Sequence, residues 1–248
     1  FFVPFLYFFL TKKIERGLTP KLLGIFALGS LQGAMGWYMV KSGLVDDPRV
    51  SQYRLTAHLS IAFLIFISMM WVALGLVAER ARETKDAALR KLQRIGFWRS
   101  LLVFYMVITG GFVAGIRAGK AYNTFPLMNG DVIPPEIFMI DPWYLNFFNN
   151  MATVQFDHRL GAWLLAFIVP WFCFKLFTGP VSPRARLAAK LLLAVLVWQI
   201  ALGIATLLLA VPVALGAAHQ GGAMIVFGVL LWLNHELRVA PATAGASR

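Results

Sequence analysis

Ala152-Thr153-Val154-Gln155-Phe156-Asp157-His158-Arg159-Leu160-Gly161-Ala162-Trp163 opens an apolar run that continues to Phe177. A run of this kind meets the roughly 20 apolar residues that a helix needs to cross a bilayer. It carries a histidine and an arginine at its mouth. A titratable ring at the start of a spanning helix is costly unless it binds something, so His158 reads as a functional residue. His58 and His219 stand at the mouths of two similar runs. The rest of the chain reads as the scaffold that holds these three at one depth.

Composition agrees with a membrane protein. Of 248 residues, 59% are hydrophobic and only 14% charged, with a mean hydropathy of +0.71. A soluble domain carries roughly 25% charged residues. The 23 Lys+Arg against 11 Asp+Glu give a formal charge of +12. The basic residues fall in alternate loops, so membrane topology accounts for them and nucleic acid is not an expected partner. Cys173 is the single cysteine; it excludes an intramolecular disulfide and reads as a small buried apolar side chain. Phe1 to Leu10 is too short to span a bilayer, and the chain begins with Phe. It reads as the second half of a helix whose first half is absent, in an N-terminally truncated chain.

Six full spans are predicted: about Leu22–Val40, Leu55–Val77, Leu101–Ile116, Val154–Phe177, Leu191–Val211 and Ala217–Leu233. Basic loops hold Lys12, Lys13, Arg16 and Lys21, then Arg80, Arg82, Lys85, Arg90, Lys91, Arg94 and Arg99, then Arg184, Arg186 and Lys190. The positive-inside rule puts this set in the cytoplasm. His58, His158 and His219 then lie toward the outer face, and His235 at the inner end of the last span. A long outer loop runs from Arg117 to Asn150 and contains Asn129-Gly130-Asp131 and Pro134-Pro135.

The chain also repeats itself. Val169-Pro170-Trp171-Phe172 matches Val3-Pro4-Phe5-Leu6. Gln199 lies 29 residues beyond Pro170 and Gln32 lies 28 beyond Pro4, each with a glycine four later, Gly203 and Gly36. His219 and His58 then open the next helix in each half. The expected fold is an all-α membrane bundle of two pseudo-symmetric four-helix halves, the first incomplete. Residues 1–95 form the remainder of the N-terminal half, 96–240 the C-terminal half, and 241–248 a tail.

Two neutral imidazoles facing each other across a four-helix bundle make an axial pair for haem iron. His158 and His219 belong to one half and suit that role; His58 needs a partner outside the chain. Zinc suits them less, since no cysteine or carboxylate cluster accompanies them. Arg159, Arg54, Arg117 and Lys120 stand near the histidines. A haem propionate prefers the water boundary and a guanidinium partner, a role that suits Arg159 and Arg117; interface anchoring is the other reading. Gly29, Gly33 and Gly36, and Gly111, Gly115 and Gly119, read as close helix contacts. Met35, Met39, Met69 and Met70 read as space-filling side chains.

Three stretches resemble haem A synthases of the bacterial and mitochondrial type. They are Arg117-Ala118-Gly119-Lys120-Ala121-Tyr122-Asn123-Thr124-Phe125-Pro126-Leu127-Met128-Asn129-Gly130 with Val154-Gln155-Phe156-Asp157-His158-Arg159; Gln32 to Leu44 with Tyr53-Arg54-Leu55-Thr56-Ala57-His58-Leu59; and Ala218-His219-Gln220-Gly221. The resemblance covers essentially the whole chain. It implies eight membrane helices in two halves and an oxidoreductase that converts haem O to haem A, turning one ring methyl into a formyl group for cytochrome oxidase. It further implies that His158 and His219 hold a permanent haem b through which electrons leave, and that His58 is a ligand of the substrate haem. Haem O synthase and oxidase assembly factors are the implied partners, with membrane lipid, and the bacterial inner membrane the implied location. The family's Glu-x-x-His-Arg motif is not in this chain, so the resemblance implies an incomplete active site here. Gln155 occupies the place of its carboxylate in the C-terminal half. No outer-loop cysteine pair, found in another type of the family, is present.

Two other function classes share parts of this pattern. A dihaem electron-transfer cytochrome linked to quinone uses the same paired histidines without substrate exchange. A transporter built from repeats uses them as proton relays. The repeat makes one prediction that sequencing of the natural gene checks directly. A histidine is expected about nine residues upstream of Phe1, by the spacing of His158 to Pro170.

Overall fold

The computed structural model describes residues 1–43, 50–77 and 86–238. Arg80, Arg82 and Lys85 of the basic stretch, Leu44, and the tail at 241–248 lie outside the described residues. The chain forms α1 (Phe2–Leu10), α2 (Leu18–Gly43), α3 (Gln52–Val77), α4 (Ala87–Gly115), α5 (Ala118–Ala121), a 3-10 turn (Trp143–Leu145), α6 (Asn146–Asn149), α7 (Met151–Thr178), α8 (Pro183–Leu208) and α9 (Val213–Glu236). Among the described residues, six helices are long and apolar enough to cross a membrane. They are the six spans expected, each longer than its apolar run. Side chains such as Phe167 and Val197, 70% and 68% exposed, lie on their outer faces, where lipid is as good a solvent as a protein core.

The largest extension is in α4, which begins at Ala87 where the apolar run suggested Leu101. Asp86 is the reason. Its carboxylate accepts the backbone N–H groups of Ala88 and Leu89 at 2.8 and 3.4 Å, capping the helix well before the apolar part. Arg90, Lys91, Arg94 and Arg99 therefore sit on helix, and the expected division at 95/96 falls inside a continuous α4. Ser182 caps α8 in the same way through the Ala185 N–H at 3.1 Å, with Pro183 in the first turn. α7 continues through Pro170, as membrane helices tolerate.

Packing is uneven along the bundle. α4, α7, α8 and α9 close a ring in which each touches the next, while α3 packs on α2, α4 and α9. The tightest core lies toward the basic end. Phe172, Cys173 and Leu176 on α7 meet Ala185, Ala188, Ala189 and Leu192 on α8 and Leu230 and Leu233 on α9. Cys173 is fully buried, its thiol directed at the Ala189 carbonyl at 3.5 Å. Asn234 of α9 donates to Ser100 Oγ on α4 at 2.7 Å. His235, expected at the interface, is 5% exposed and packs edge-on against Trp71.

At the other end the starts of α3, α7 and α9 lie together under the loop from Arg117. Gln52 donates to Asn149 Oδ1 at 2.7 Å, and Tyr53 packs against Phe112 and Phe148. The loop is more structured than its composition suggested. Asn129 and Gly130 adopt φ of 54° and 102° in a tight turn that pairs Met128 with Asp131, as an Asn-Gly pair favours.

The glycine stripes divide. A Cβ on Gly111 would stand 3.1 Å from Thr56 Cα, and one on Gly115 2.6 Å from Gln52 Cα, so α3 and α4 approach through their backbones. Gly29 and Gly33 have nothing within 4 Å of a Cβ position and make no such contact. Gly115→Ala is therefore expected to lower stability by about 1–3 kcal/mol. Gly33→Ala should leave it unchanged or raise it by up to about 1 kcal/mol through helix propensity. Thermal unfolding of both variants in detergent checks the contrast.

Candidate functional site

The three histidines stand at matching positions in their helices. His58 lies six residues beyond Gln52, His158 seven beyond Met151, and His219 six beyond Val213, the first residues of α3, α7 and α9. Each ring rests against a glycine of the helix before it in the packing. A Cβ on Gly36 of α2 would stand 3.3 Å from His58 Cε1, one on Gly110 of α4 3.2 Å from His158 Cε1, and one on Gly203 of α8 2.7 Å from His219 Cε1. The repeat glycines Gly36 and Gly203 thus have one shared physical duty, which is to leave room for an imidazole. Gly110 performs it for His158 and was not singled out from the sequence. Its neighbour Gly111 was, for a different contact.

His158 and His219 are brought together. Their ring centroids lie 6.5 Å apart with planes 80° from parallel. A metal bound by facing ring nitrogens at about 2 Å on each side would separate two centroids by about 6 Å. Such a bond leaves rotation about its axis free, so crossed planes fit it too. His158 Nδ1 is tied to Thr109 Oγ1 at 2.8 Å, which directs Nε2 away from α4. His219 Nδ1 is buried without a hydrogen-bond partner. The spacing fits an iron porphyrin held between the two imidazoles.

His58 belongs to the α2–α3 pair. Its Nε2 lies 3.0 Å from the side-chain nitrogen of Gln32, and its Nδ1 is buried without a partner. Gln199, the repeat equivalent of Gln32, donates instead to the His219 backbone carbonyl at 2.8 Å. Both glutamines keep a buried, unpartnered Oε1.

Arg159 is engaged by the loop that begins at Arg117. Its two terminal nitrogens donate to the carbonyls of Tyr122, Thr124, Pro126 and Leu127 at 2.8–3.3 Å, while Nε is buried with no partner. Gln155, 3% exposed, donates to the Tyr122 carbonyl at 2.8 Å. α7 itself is capped by Asn150, which accepts the N–H groups of Ala152 and Thr153 at 2.9 and 3.4 Å and donates to Glu136 O at 2.8 Å. The loop thus folds down onto the residues flanking His158. Tyr122 donates its hydroxyl to Glu136; burial first and this carboxylate second push its phenol above the ordinary value. Arg117 is exposed and takes a left-handed φ of 57° at the turn from α4 into α5. Arg54 stacks on the Tyr38 ring at 4.8 Å.

Thr109 and Gly110 are the residues that sequence reasoning missed. Both lie inside an apolar span, where a threonine and a glycine raise no signal. Only their register against His158 gives them a task.

Comparison with known proteins gives the family. The family model COX15-CtaA, described as cytochrome oxidase assembly protein, matches residues 1–231. A heme A synthase of Nitrosospira multiformis is 61% identical over 238 residues, covering 96% of this chain and 67% of that protein. Heme A synthases of Nitrosomonas eutropha and Parvibaculum lavamentivorans are 55% and 45% identical, each with 96% of this chain and 67% of the relative covered. The chain therefore spans about two thirds of the length of these relatives. With the match sustained from residue 1 to residue 231, the chain belongs to the COX15-CtaA family of cytochrome oxidase assembly proteins, the haem A synthase family that its motifs resemble.

Proposed function

We propose that this chain is the larger part of a haem A synthase, an integral membrane oxidoreductase that oxidises a ring methyl of haem O to the formyl group of haem A. The relatives' names support the reaction. The observation that carries the reading for this chain is the 6.5 Å spacing of the His158 and His219 rings. In this proposal those two imidazoles hold a resident haem b within the four-helix ring of α4, α7, α8 and α9. Bound there, haem b supplies a one-electron carrier. His58, in the remainder of the N-terminal half, is one ligand of the substrate haem. The two halves divide at 95/96, as the repeat suggests, within α4, whose apolar part belongs to the second.

The surrounding residues then have defined tasks. Thr109 holds the His158 Nδ1, so that Nε2 is the nitrogen offered for bonding. Gly110 and Gly203 admit the two rings. Arg159 secures the loop through four N–H bonds and keeps its Nε–H for a propionate; Arg117 offers a second guanidinium at the water boundary. The basic ends of the helices face the cytoplasm of a bacterial inner membrane, and the histidine ends face outward. Partnership with haem O synthase and oxidase assembly factors follows from the same reading, since a poorly soluble substrate and product are best passed within the membrane.

Two measurements test this proposal. The dithionite-reduced minus oxidised absorption spectrum of the purified protein should show a low-spin b-type signal. That signal should disappear in His158→Ala and in His219→Ala and persist in His58→Ala. Retention of the signal in both of the first two variants would overturn the assignment. Thr109→Val removes the hydroxyl beside His158 while keeping its shape. It is expected to weaken retention of the resident haem about 10- to 100-fold, read as the rate of haem loss to an apoprotein acceptor, with helix content unchanged by circular dichroism.

A further inference from the structure

The repeat places a glutamine beside each half's second histidine, yet the two amides do different things. Gln32 and Gln199 each precede by four residues the glycine that receives an imidazole, Gly36 and Gly203. Gln199 spends its amide N–H on the His219 backbone carbonyl at 2.8 Å, so the ring makes no bond to it. Gln32 instead sets its side-chain nitrogen 3.0 Å from His58 Nε2, on the ring itself. An amide nitrogen is a donor only, so in this arrangement it covers the lone pair of that nitrogen. The other ring nitrogen, Nδ1, is enclosed against the same helix. Cε1 and Nδ1 are turned toward α2, 3.3 and 3.8 Å from the Cβ position of Gly36, and Nδ1 is buried.

We propose that Gln32 is a placeholder for iron at the exchangeable haem site. Its amide occupies His58 Nε2 between turnovers and must leave that nitrogen before a haem is bound there. It returns when the haem departs, which eases release of the product. The equivalent Gln199 is tied to the backbone and gives His219 no such competitor, so the C-terminal haem stays. One amide rotation thus distinguishes a substrate site from a cofactor site in two halves of the same design. This inference rests on the functional reading above, in which His58 binds the substrate haem.

Gln32 is a positioning residue, and its test therefore reads haem exchange and not turnover. The natural full-length protein, with its resident haem in place, is titrated with haem O in detergent. The dissociation constant and off-rate of the second haem are followed by absorption. Gln32→Leu and Gln32→Met are expected to bind the second haem about three- to tenfold more tightly, the effect of removing one competing hydrogen bond, and to release it more slowly. Gln199→Leu should leave the second haem's affinity as in the unmodified protein. Equal or weaker binding in both Gln32 variants, with the resident haem spectrum intact, overturns the proposal. So does equal tightening by Gln199→Leu. If the unmodified protein binds no second haem that His58→Ala removes, the functional reading itself fails, and the inference fails with it.

Discussion

An imidazole inside an apolar helix bundle needs space that its own helix cannot provide and a partner for each nitrogen. In this protein the space comes from the facing helix. Gly36, Gly110 and Gly203 each stand where any larger side chain would meet the Cε1 edge of a histidine. That requirement ties together helices that are far apart in sequence. α2 must face α3, α4 must face α7, and α8 must face α9, each in a register fixed by one glycine. The helices start six or seven residues before each histidine, so the three rings stand at matching positions along them.

The two ends of the bundle are built on different principles. Toward the basic end, small side chains such as Ala185, Ala188 and Ala189 let α8 lie close on α7 around Phe172 and Leu176. Such packing supplies association where lipid removes the hydrophobic drive between helices. Toward the histidine end, polar bonds take over. Arg159 gathers four loop carbonyls, Asn150 joins the start of α7 to Glu136, and Gln52 joins α3 to Asn149. A rigid basic end holds the helices, and the loop is drawn down over the histidine end. In the proposed function this leaves the outer end as the place where haem is held and, on one side, exchanged.

The internal repeat supplies both symmetry and its breaking. Both halves keep the order glutamine, glycine, histidine at the same spacing between the first two. The Gln199 amide bonds the His219 backbone carbonyl, while the Gln32 amide faces the His58 ring itself. Duplicated bundles start with equal sites. In the proposed function, single polar contacts on or beside the ring make one site retentive and the other labile, because a hydrogen bond in a low-dielectric interior is strong relative to the small differences that set exchange.

Hydropathy and charge carried the architecture in the sequence. A spanning helix is defined by local composition, so six apolar runs and alternating basic loops sufficed to predict the helices that the structure contains. The three histidines were legible for the same reason, since a polar ring in an apolar run is conspicuous one residue at a time. The start of α4 at Ala87 was harder to see, because a cap at Asp86 outweighs the loss of hydropathy over the basic turns. Contacts between helices were legible only in part. Gly33 and Gly115 look alike in sequence, yet only the second meets another backbone. Thr109 and Gly110 gain their meaning from facing His158, and the difference between Gln32 and Gln199 lies in which atom each amide reaches. Sequence determines which segments enter the membrane, because that choice depends on each segment's own transfer energy. Only the tertiary structure decides which residues share a site, because rotation and register between helices are set by packing that no single segment encodes.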